Sequence, residues 1–172
     1  EKAESSIDHL SQGECSRLAV ARALATEAQV ILMDEPLSNV DPSRKSSYWE
    51  IIQEYAQTNT RSVIFSTHEP SEALAYSQNC ICLHKGSITA TGNTYELYTS
   101  PKDELSASLL GPGNWLDNES FANKVKFCRP ERLRIEESEE GEYEIIKSTF
   151  FGPYSHSELN NGKCYFHTSP KI

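Results

Sequence analysis

Two short apolar segments separated by a helix pattern constrain the fold of this chain more than any other feature. Residues 30–33 form an unbroken apolar run, and residues 62–67 form a second strand-like run. Between them, Asp41 and Pro42 are typical of a helix start, with Asp as N-cap and Pro at the first helical position. The helix that follows repeats apolar side chains at Tyr48, Ile51, Ile52 and Tyr55. This order predicts a βαβ unit whose parallel strands are buried on both faces.

The flanking segments extend this unit into an α/β core followed by a β-rich tail. Residues 14–28 are rich in Ala and Leu and predict a helix before the first strand. After His68 we expect a short helix at 71–76, a hairpin at 80–84 and 87–91, and short helices at 94–98 and 103–110. The cluster at residues 111–113 (Gly-Pro-Gly) is typical of a boundary. Beyond it, a small β module is predicted from strand-like pieces at 124–128, 143–146 and 163–168. The predicted domains are residues 1–110 and 111–172.

Charge and apolar patterning exclude several classes of protein. Lys and Arg number 16 against 25 Asp and Glu, for a net charge of -9, so we expect no nucleic-acid partner bound through a broad basic surface. No apolar run approaches the roughly 20 residues that cross a bilayer. The chain starts at Glu1 without Met and shows no signal peptide, so we expect a piece of a longer protein.

The five cysteines do not form a recognisable disulfide or zinc pattern. Their number is odd and no C-x-x-C pair occurs, while Cys80 and Cys82 would share one face of a strand. We therefore expect reduced, partly buried thiols of a cytosolic protein.

Polar side chains follow both strands of the predicted βαβ unit. Asp34 and Glu35 end the first strand and His68 follows the second, and parallel strands bring their carboxyl ends to one edge. At that edge Asp34 would suit Mg2+, Glu35 would orient and polarise a water as general base, and His68 would contact a developing phosphate charge. The strand pattern alone leaves open the alternative that all three are solvated loop residues.

The segment before the first helix has two compatible interpretations. Ser11 and Glu14 have the spacing of a capping box, in which the Ser hydroxyl accepts from the Glu14 amide and Glu14 reaches back. A helix N-terminus with unpaired amides, a Ser hydroxyl and the small Gly13 is also an anion site. A phosphate-binding loop of the form G-x-x-x-x-G-K-[ST], by contrast, is not present in this sequence, because only Gly162 is followed by Lys and Cys164 then breaks the pattern.

Four motifs, taken in order, resemble the later part of an ATPase subunit of ABC transporters. Residues 10–14 (Leu-Ser-Gln-Gly-Glu) resemble the signature LSGGQ, and residues 30–36 resemble the Walker B segment with its catalytic glutamate. Residues 38–41 (Ser-Asn-Val-Asp) resemble the D-loop SALD, and residues 67–69 resemble the switch histidine segment. The spacings of 23 residues from Ser11 to Asp34 and 34 from Asp34 to His68 also fit that family.

The tail adds a second resemblance. Residues 127–133, with Arg129-Pro130-Glu131 at their centre, are similar to the R-P-E segment of the β-rich accessory domain (TOBE, or OB-like) of importer ATPases. Residues 149–152 resemble the start of the strand pair that follows in that domain. The alternative is an ordinary turn with an exposed ion pair, which contributes about 0 to 1 kcal/mol.

The resemblance implies a fold, cofactors, partners and residue roles. The fold would be an α/β, parallel-sheet P-loop-type ATPase core lacking its N-terminal part, followed by a small OB-like domain. ATP and Mg2+ would be the cofactors, with Asp34 at the metal and Glu35 and His68 as catalytic residues. Nucleotide held by an opposing ATPase subunit would meet Ser11, Gln12, Gly13, Glu14 and Asp41. The partners would be that second subunit and transmembrane permease subunits, which places the protein in the cytoplasm on the inner face of the cell membrane.

Departures from the family pattern keep alternatives open. Gln12 and Glu14 replace a Gly and the Gln of the signature, and a carboxylate near a triphosphate should weaken binding unless it points back into the capping box. The absent phosphate-binding loop, Q-loop and adenine-stacking aromatic lead us to expect a fragment that is inactive alone. The alternatives are a non-transport ABC ATPase of the translation or DNA-repair type, for which a helical tail is expected, and a non-hydrolysing regulatory module.

Overall fold

A computed structural model describes residues 9–58, 61–116, 127–136 and 138–168 of the 172-residue chain. The chain divides into two compact units, Glu1–Tyr76 and Ser77–Ile172. The boundary predicted at residues 110/111 lies inside the second unit, because the hairpin and short helices group with the β-rich tail. The family-based division stays a prediction.

The first unit contains the predicted βαβ arrangement. Its elements are α1 (Gln12–Ala25), β1 (Val30–Asp34), α2 (Pro42–Thr58), β2 (Ser62–Ser66) and α3 (Pro70–Tyr76). Strands β1 and β2 pair in parallel, with Val30 opposite Ser62 and Asp34 opposite Ser66. The predicted parallel pairing is thus confirmed for these two strands, and both strands end at the same edge.

The core of the first unit lies on one face of this strand pair. Trp49 of α2 is completely buried, and its ring lies 4.4 Å from that of Phe65 and 4.9 Å from that of Tyr76. The prediction that the strands are buried on both faces is wrong: Val30, Leu32 and Ile64 are 55%, 74% and 59% exposed. The helices cover only the face that carries Ile31 and Met33, and side chains alternate between faces along a strand.

The second unit begins with the predicted hairpin and two short helices. Strands β3 (Asn79–His84) and β4 (Ser87–Asn93) are antiparallel, with Lys85 and Gly86 both at positive φ (48° and 76°). Positive φ at both central residues is the requirement of the tight turn that matches strand twist. Helices α4 (Thr94–Thr99) and α5 (Glu104–Leu109) follow, and their first turns are capped by the side chains of Asn93 and Asp103.

The rest of the second unit is β-rich, as predicted. Short strands β5 (Asn114–Trp115) and β6 (Phe127–Cys128) pair antiparallel, followed by a 3₁₀ turn at Pro130–Arg132. A three-stranded antiparallel sheet is then formed by β7 (Ile145–Phe150), β8 (Tyr154–Leu159) and β9 (Cys164–Thr168). The residue pattern did not predict strand β8, although the family resemblance implied a strand pair starting near residue 149, and β7 lies further along the chain than expected. Residues 124–126 of the predicted strand 124–128 lie outside the described residues.

Four of the five cysteines are at least partly buried, as predicted, and Cys164 is exposed. All five cysteines are free, and burial next to Cys80 raises the pKa of the Cys82 thiol to about 11, which keeps it protonated and unreactive. In the part of the chain that the structure describes, no helix combines the length and the apolarity needed to cross a bilayer.

Candidate nucleotide site

The ends of β1 and β2 bring three polar side chains together at one edge of the first unit. The register places Ser66 opposite Asp34, and the Ser66 hydroxyl donates to Asp34 Oδ1. The same hydroxyl oxygen accepts the Glu35 backbone N–H at 3.0 Å. One side chain on β2 therefore bridges both acidic residues that end β1.

Glu35 has an uncommon backbone conformation. Its φ is +42°, in the left-handed region, which costs a non-glycine residue about 1 to 2 kcal/mol. The Glu35 carbonyl accepts the Ser38 amide at 3.2 Å and the Ser38 hydroxyl at 3.1 Å. The chain thus turns sharply after Asp34, and strain of this kind is concentrated at functional sites.

The turn directs the Glu35 carboxylate at His68. Glu35 Oε1 lies 2.9 Å from His68 Nδ1, while 67% of the His68 side chain and 47% of the Glu35 side chain remain exposed. The hydrogen bond that His68 donates to the Glu35 carboxylate, and then the charge of that carboxylate, raise the pKa of His68, with smaller contributions from Glu69 and Glu72. The predicted convergence of these two residues is confirmed, and the pair is open to a substrate. Their catalytic roles stay predictions.

A buried ion network behind His68 was not predicted. The Lys45 ammonium of α2 contacts the carboxylates of Glu69 and, at 2.9 Å, Glu72. Glu72 is buried and also accepts the Thr67 hydroxyl at 2.7 Å. Burial alone would raise the pKa of Glu72, but the hydrogen bonds from Thr67 and Lys45 outweigh it and the pKa is lowered. The network fixes the segment on which His68 stands. Lys45 and Glu72 are far apart in the sequence, and no sequence pattern indicates that their side chains form this network.

The turn that opens α1 forms the predicted capping box. Glu14 N–H donates to Ser11 Oγ at 3.3 Å, and Glu14 Oε2 accepts the Ser11 amide at 2.9 Å and the Ser11 hydroxyl at 3.0 Å. The Glu14 carboxylate therefore points back into its own turn, the condition under which it does not repel a phosphate. Gln12 is exposed at the first helical position.

Gly13 packs this turn against the segment that follows β1. A Cβ atom built on Gly13 would lie 2.6 Å from the Asn39 carbonyl oxygen, so no side chain fits there. Two residues later, Asp41 caps α2 by accepting the Ser43 amide at 2.8 Å and the Ser43 hydroxyl. These hydrogen bonds lower the pKa of Asp41. The structure thus places the predicted residues 11–14 beside residues 38–41.

Asp34 fits the requirements of Mg2+. A single carboxylate at a strand end is enough for an ion that prefers oxygen ligands and keeps several waters and phosphate oxygens. Within the described ranges no three His, Cys, Asp or Glu side chains cluster as a metal site.

Arg129 in the second unit is buried, with 2% of its surface exposed. Its Nε donates to the Tyr98 carbonyl at 2.8 Å, and its Nη1 donates to the carbonyls of Ala107, Gly111 and Pro112 at 3.2, 2.7 and 2.9 Å. The guanidinium also lies over the Tyr98 ring at 4.1 Å. The alternative of an exposed ion pair at Arg129-Pro130-Glu131 is therefore wrong.

Comparisons with known proteins agree with these motifs. The family described as ABC transporter matches residues 1–38. The chain is 39% identical over 108 residues to the Fe(3+) ions import ATP-binding protein FbpC of Photorhabdus laumondii, covering 63% of this chain and 31% of that protein. It is 28% identical over 184 residues to the spermidine/putrescine import ATP-binding protein PotA of Clostridioides difficile, covering 92% of this chain and 53% of that protein. The chain therefore spans about a third to a half of these relatives' lengths.

A solved structure of an ABC transporter described as metal-chelate type, in an inward-facing conformation, is 31% identical over 54% of this chain and 37% of its own, with a TM-score of 0.48. At that TM-score the likeness is too slight to indicate a shared fold.

Proposed function

The chain belongs to the ATP-binding proteins of ABC transporters, and from that premise we propose that it carries the hydrolytic half of the ATP site of a solute importer. The observation that carries the proposal is the contact at 2.9 Å between Glu35 and His68 at the shared end of two parallel strands. A carboxylate and an imidazole that are both exposed and mutually oriented are the groups needed at the terminal phosphate of ATP.

In the proposed reaction each residue at the strand ends has one task. Asp34 would hold Mg2+, which would supply positive charge against the phosphate oxygens. Glu35 orients the attacking water, and its left-handed backbone fixes the direction of the carboxylate. The raised pKa of His68 favours the charged imidazolium, which stabilises negative charge developing on the γ-phosphate.

The start of α1 would serve a second nucleotide. Ser11, Gln12, Gly13 and Glu14 would face ATP held by an opposing subunit, and Asp41 would lie at the interface between the two subunits. Permease subunits in the membrane would receive the motion, with this protein on the cytoplasmic face. Support comes from the matched family, whose model covers residues 11–14 but not Asp41, and from the inward-pointing Glu14 carboxylate.

The β-rich second unit favours an importer over a non-transport ABC ATPase. Strands β7 to β9 form an antiparallel sheet where a helical or coiled-coil tail is expected of the translation and DNA-repair types. The buried Arg129 supports the accessory-domain resemblance, because a guanidinium bound by four carbonyls is a built feature of the fold. An OB-like topology stays part of the proposal.

A hybrid protein tests the proposed reaction. The amino-terminal half of an intact ABC-transporter ATPase, including its G-x-x-x-x-G-K-[ST] loop, is fused ahead of this chain, and Mg2+-dependent phosphate release is measured. We expect the hybrid to hydrolyse ATP and the 172-residue chain alone not to, because this sequence has no phosphate-binding loop.

Variants of the hybrid assign the role of Glu35. Glu35→Gln should reduce kcat by about 100-fold or more, which is the contribution of a positioned general base. The matched control is Glu50→Gln, which makes the same change at an exposed position of α2 and should leave kcat unaltered. Equal activity of the two variants would remove Glu35 from the mechanism, and robust hydrolysis by the chain alone would overturn the need for a supplied loop.

A further inference from the structure

We propose that Ser66 is a positioning residue of the proposed ATP site, in which its hydroxyl holds Asp34 and Glu35 in the arrangement that presents Glu35 to His68. The inference rests on the proposed function for its catalytic consequence. The structural part of the inference, that Ser66 orders Asp34 and Glu35, rests only on the two hydrogen bonds of Ser66.

The position of Ser66 follows from strand register. Strands β1 and β2 are both five residues long and pair without a shift, so their last residues, Asp34 and Ser66, are partners. A hydroxyl is able to donate one hydrogen bond and accept others at the same time. Ser66 uses both capacities here, because it donates to the Asp34 carboxylate and accepts the amide of the next residue, Glu35.

The second bond stabilises the unusual backbone of Glu35. With φ at +42°, Glu35 needs neighbours that hold it in the left-handed region. Two serines do so from opposite sides of the residue: Ser66 binds its amide, and Ser38 binds its carbonyl. Of the two, only Ser66 comes from the other strand, and it therefore ties the turn to the strand that leads to His68.

Loss of the Ser66 hydroxyl releases both acidic residues together. The Glu35 amide would exchange its fixed acceptor for water, and the turn would be free to leave the left-handed region. The Glu35 carboxylate would then spend less time at 2.9 Å from His68 Nδ1. Asp34 would lose the donor that fixes one of its two oxygens, which leaves its orientation toward a metal undefined.

The titration of His68 reports this arrangement without any nucleotide. Two-dimensional NMR of the full chain follows the imidazole signals of its five histidines against pH, with His68 assigned from a His68→Gln variant. Ser66→Thr and Ser66→Val form the central pair, because the two side chains have nearly the same shape and only Thr keeps the hydroxyl. Glu35→Gln is the reference for a lost partner, and Ser62→Ala, at the other end of β2, is the control.

We expect Ser66→Val to lower the pKa of His68 toward the value in Glu35→Gln, and Ser66→Thr and Ser62→Ala to leave it as in the unaltered chain. Glu69 and Glu72, which also raise the pKa of His68, are unchanged in all of these variants. Identical titration of the Val and Thr variants would overturn the proposal. So would a shift in Ser66→Thr as large as that in Ser66→Val.

The hybrid enzyme measures the catalytic consequence separately. Ser66→Val should lower kcat about tenfold or more, with the KM for ATP unchanged, because misplacement of a catalytic group acts on the chemical step. If Ser66→Val shifts the titration of His68 but leaves kcat of the hybrid unchanged, Ser66 has only a structural role, and its positioning role in catalysis is overturned. A hybrid that never hydrolyses ATP contradicts the proposed function, while the titration still decides whether Ser66 orders the acidic pair.

Discussion

Two motifs of this chain place charged residues next to a proline, yet the structure treats them in opposite ways. In Asp34-Glu35-Pro36 the Glu35 side chain is about half exposed and meets an exposed imidazole. In Arg129-Pro130-Glu131 the guanidinium is buried and bound by four backbone carbonyls. The same kind of motif therefore presents an exposed charged pair in one unit and a buried, hydrogen-bonded charge in the other.

Burial accounts for the difference. An exposed ion pair contributes little to stability, since water competes for both partners, but it is accessible to a substrate. Burial of a charged side chain costs free energy unless hydrogen bonds replace its contacts with water. When such a side chain is removed by mutation, the acceptors that it had bound are left buried and unpaired. Arg129 thus ties α4, α5 and the 111–113 segment together through Nε and Nη1, while its Nη2 is buried without a hydrogen-bond partner.

The largest expected effect is on the folding of the second unit. Arg129→Met should lower the free energy of unfolding of that unit by about 4 kcal/mol, because the buried carbonyls of Tyr98, Ala107, Gly111 and Pro112 lose their donor. Urea unfolding measures it through Trp115, in a Trp49→Phe background that removes the fluorescence of the first unit.

Arg132→Met is the matched control for this prediction. Arg132 is exposed and lies three residues along the chain, so its loss should change the free energy of unfolding by less than about 0.5 kcal/mol. Similar unfolding midpoints for the two variants would mean that the buried and the exposed arginine contribute equally to stability, which would contradict the structural role assigned to Arg129.

An intermediate effect is expected behind the strand ends, where charge is buried in the first unit. Glu72→Gln should destabilise that unit by about 2 kcal/mol at neutral pH, because Lys45 loses one of its two charged partners and keeps Glu69. Since the pKa of Glu72 is lowered in the folded state, its contribution is fully present above its ordinary value of 4.5 and is lost as the pH falls below it.

The pH profile of unfolding checks that sign. The difference in stability between the unaltered chain and Glu72→Gln should shrink as the pH falls below about 4.5, whereas exposed Glu54→Gln should differ little from the unaltered chain at any pH. A difference that grew in acid would show that Glu72 is protonated in the folded protein.

The smallest effect on stability is expected at the exposed pair itself. Glu35→Gln keeps the backbone bonds of Glu35 and removes only a solvent-exposed charge, so the free energy of unfolding should change by less than about 0.5 kcal/mol. The pKa of His68 should fall in the same variant, because Glu35 is the main cause of its rise. A loss of stability comparable with that of Arg129→Met would contradict the division of roles.

The sequence predicted the elements that depend on local chemistry. The Asp41-Pro42 helix start, the Lys85-Gly86 turn and the Ser11–Glu14 capping box all formed where expected, because each is determined by a few neighbouring residues. The meeting of Glu35 with His68 was also predictable, since parallel strands end at a common edge.

Features that depend on distant partners were not predictable. Buried and less buried side chains alternate along strand β8, and serines occupy buried positions. The burial of Ser157 is stabilised by its hydrogen bonds with Ser148 and, at 2.9 Å, His167 on the neighbouring strands. A hydrophobic pattern gives no indication of such a strand. The exposure of Leu32 was missed for a related reason, since an apolar run does not reveal whether both of its faces have something to pack against.

The tight packing at Gly13 has a mechanical consequence. Because there is no room for a side chain between Gly13 and the carbonyl of Asn39, the first turn of α1 and the loop ahead of α2 are closely packed. A displacement of either segment is therefore passed directly to the other. In the proposed pair of subunits, this contact would connect residues 11–14 to the segment that carries Asp41.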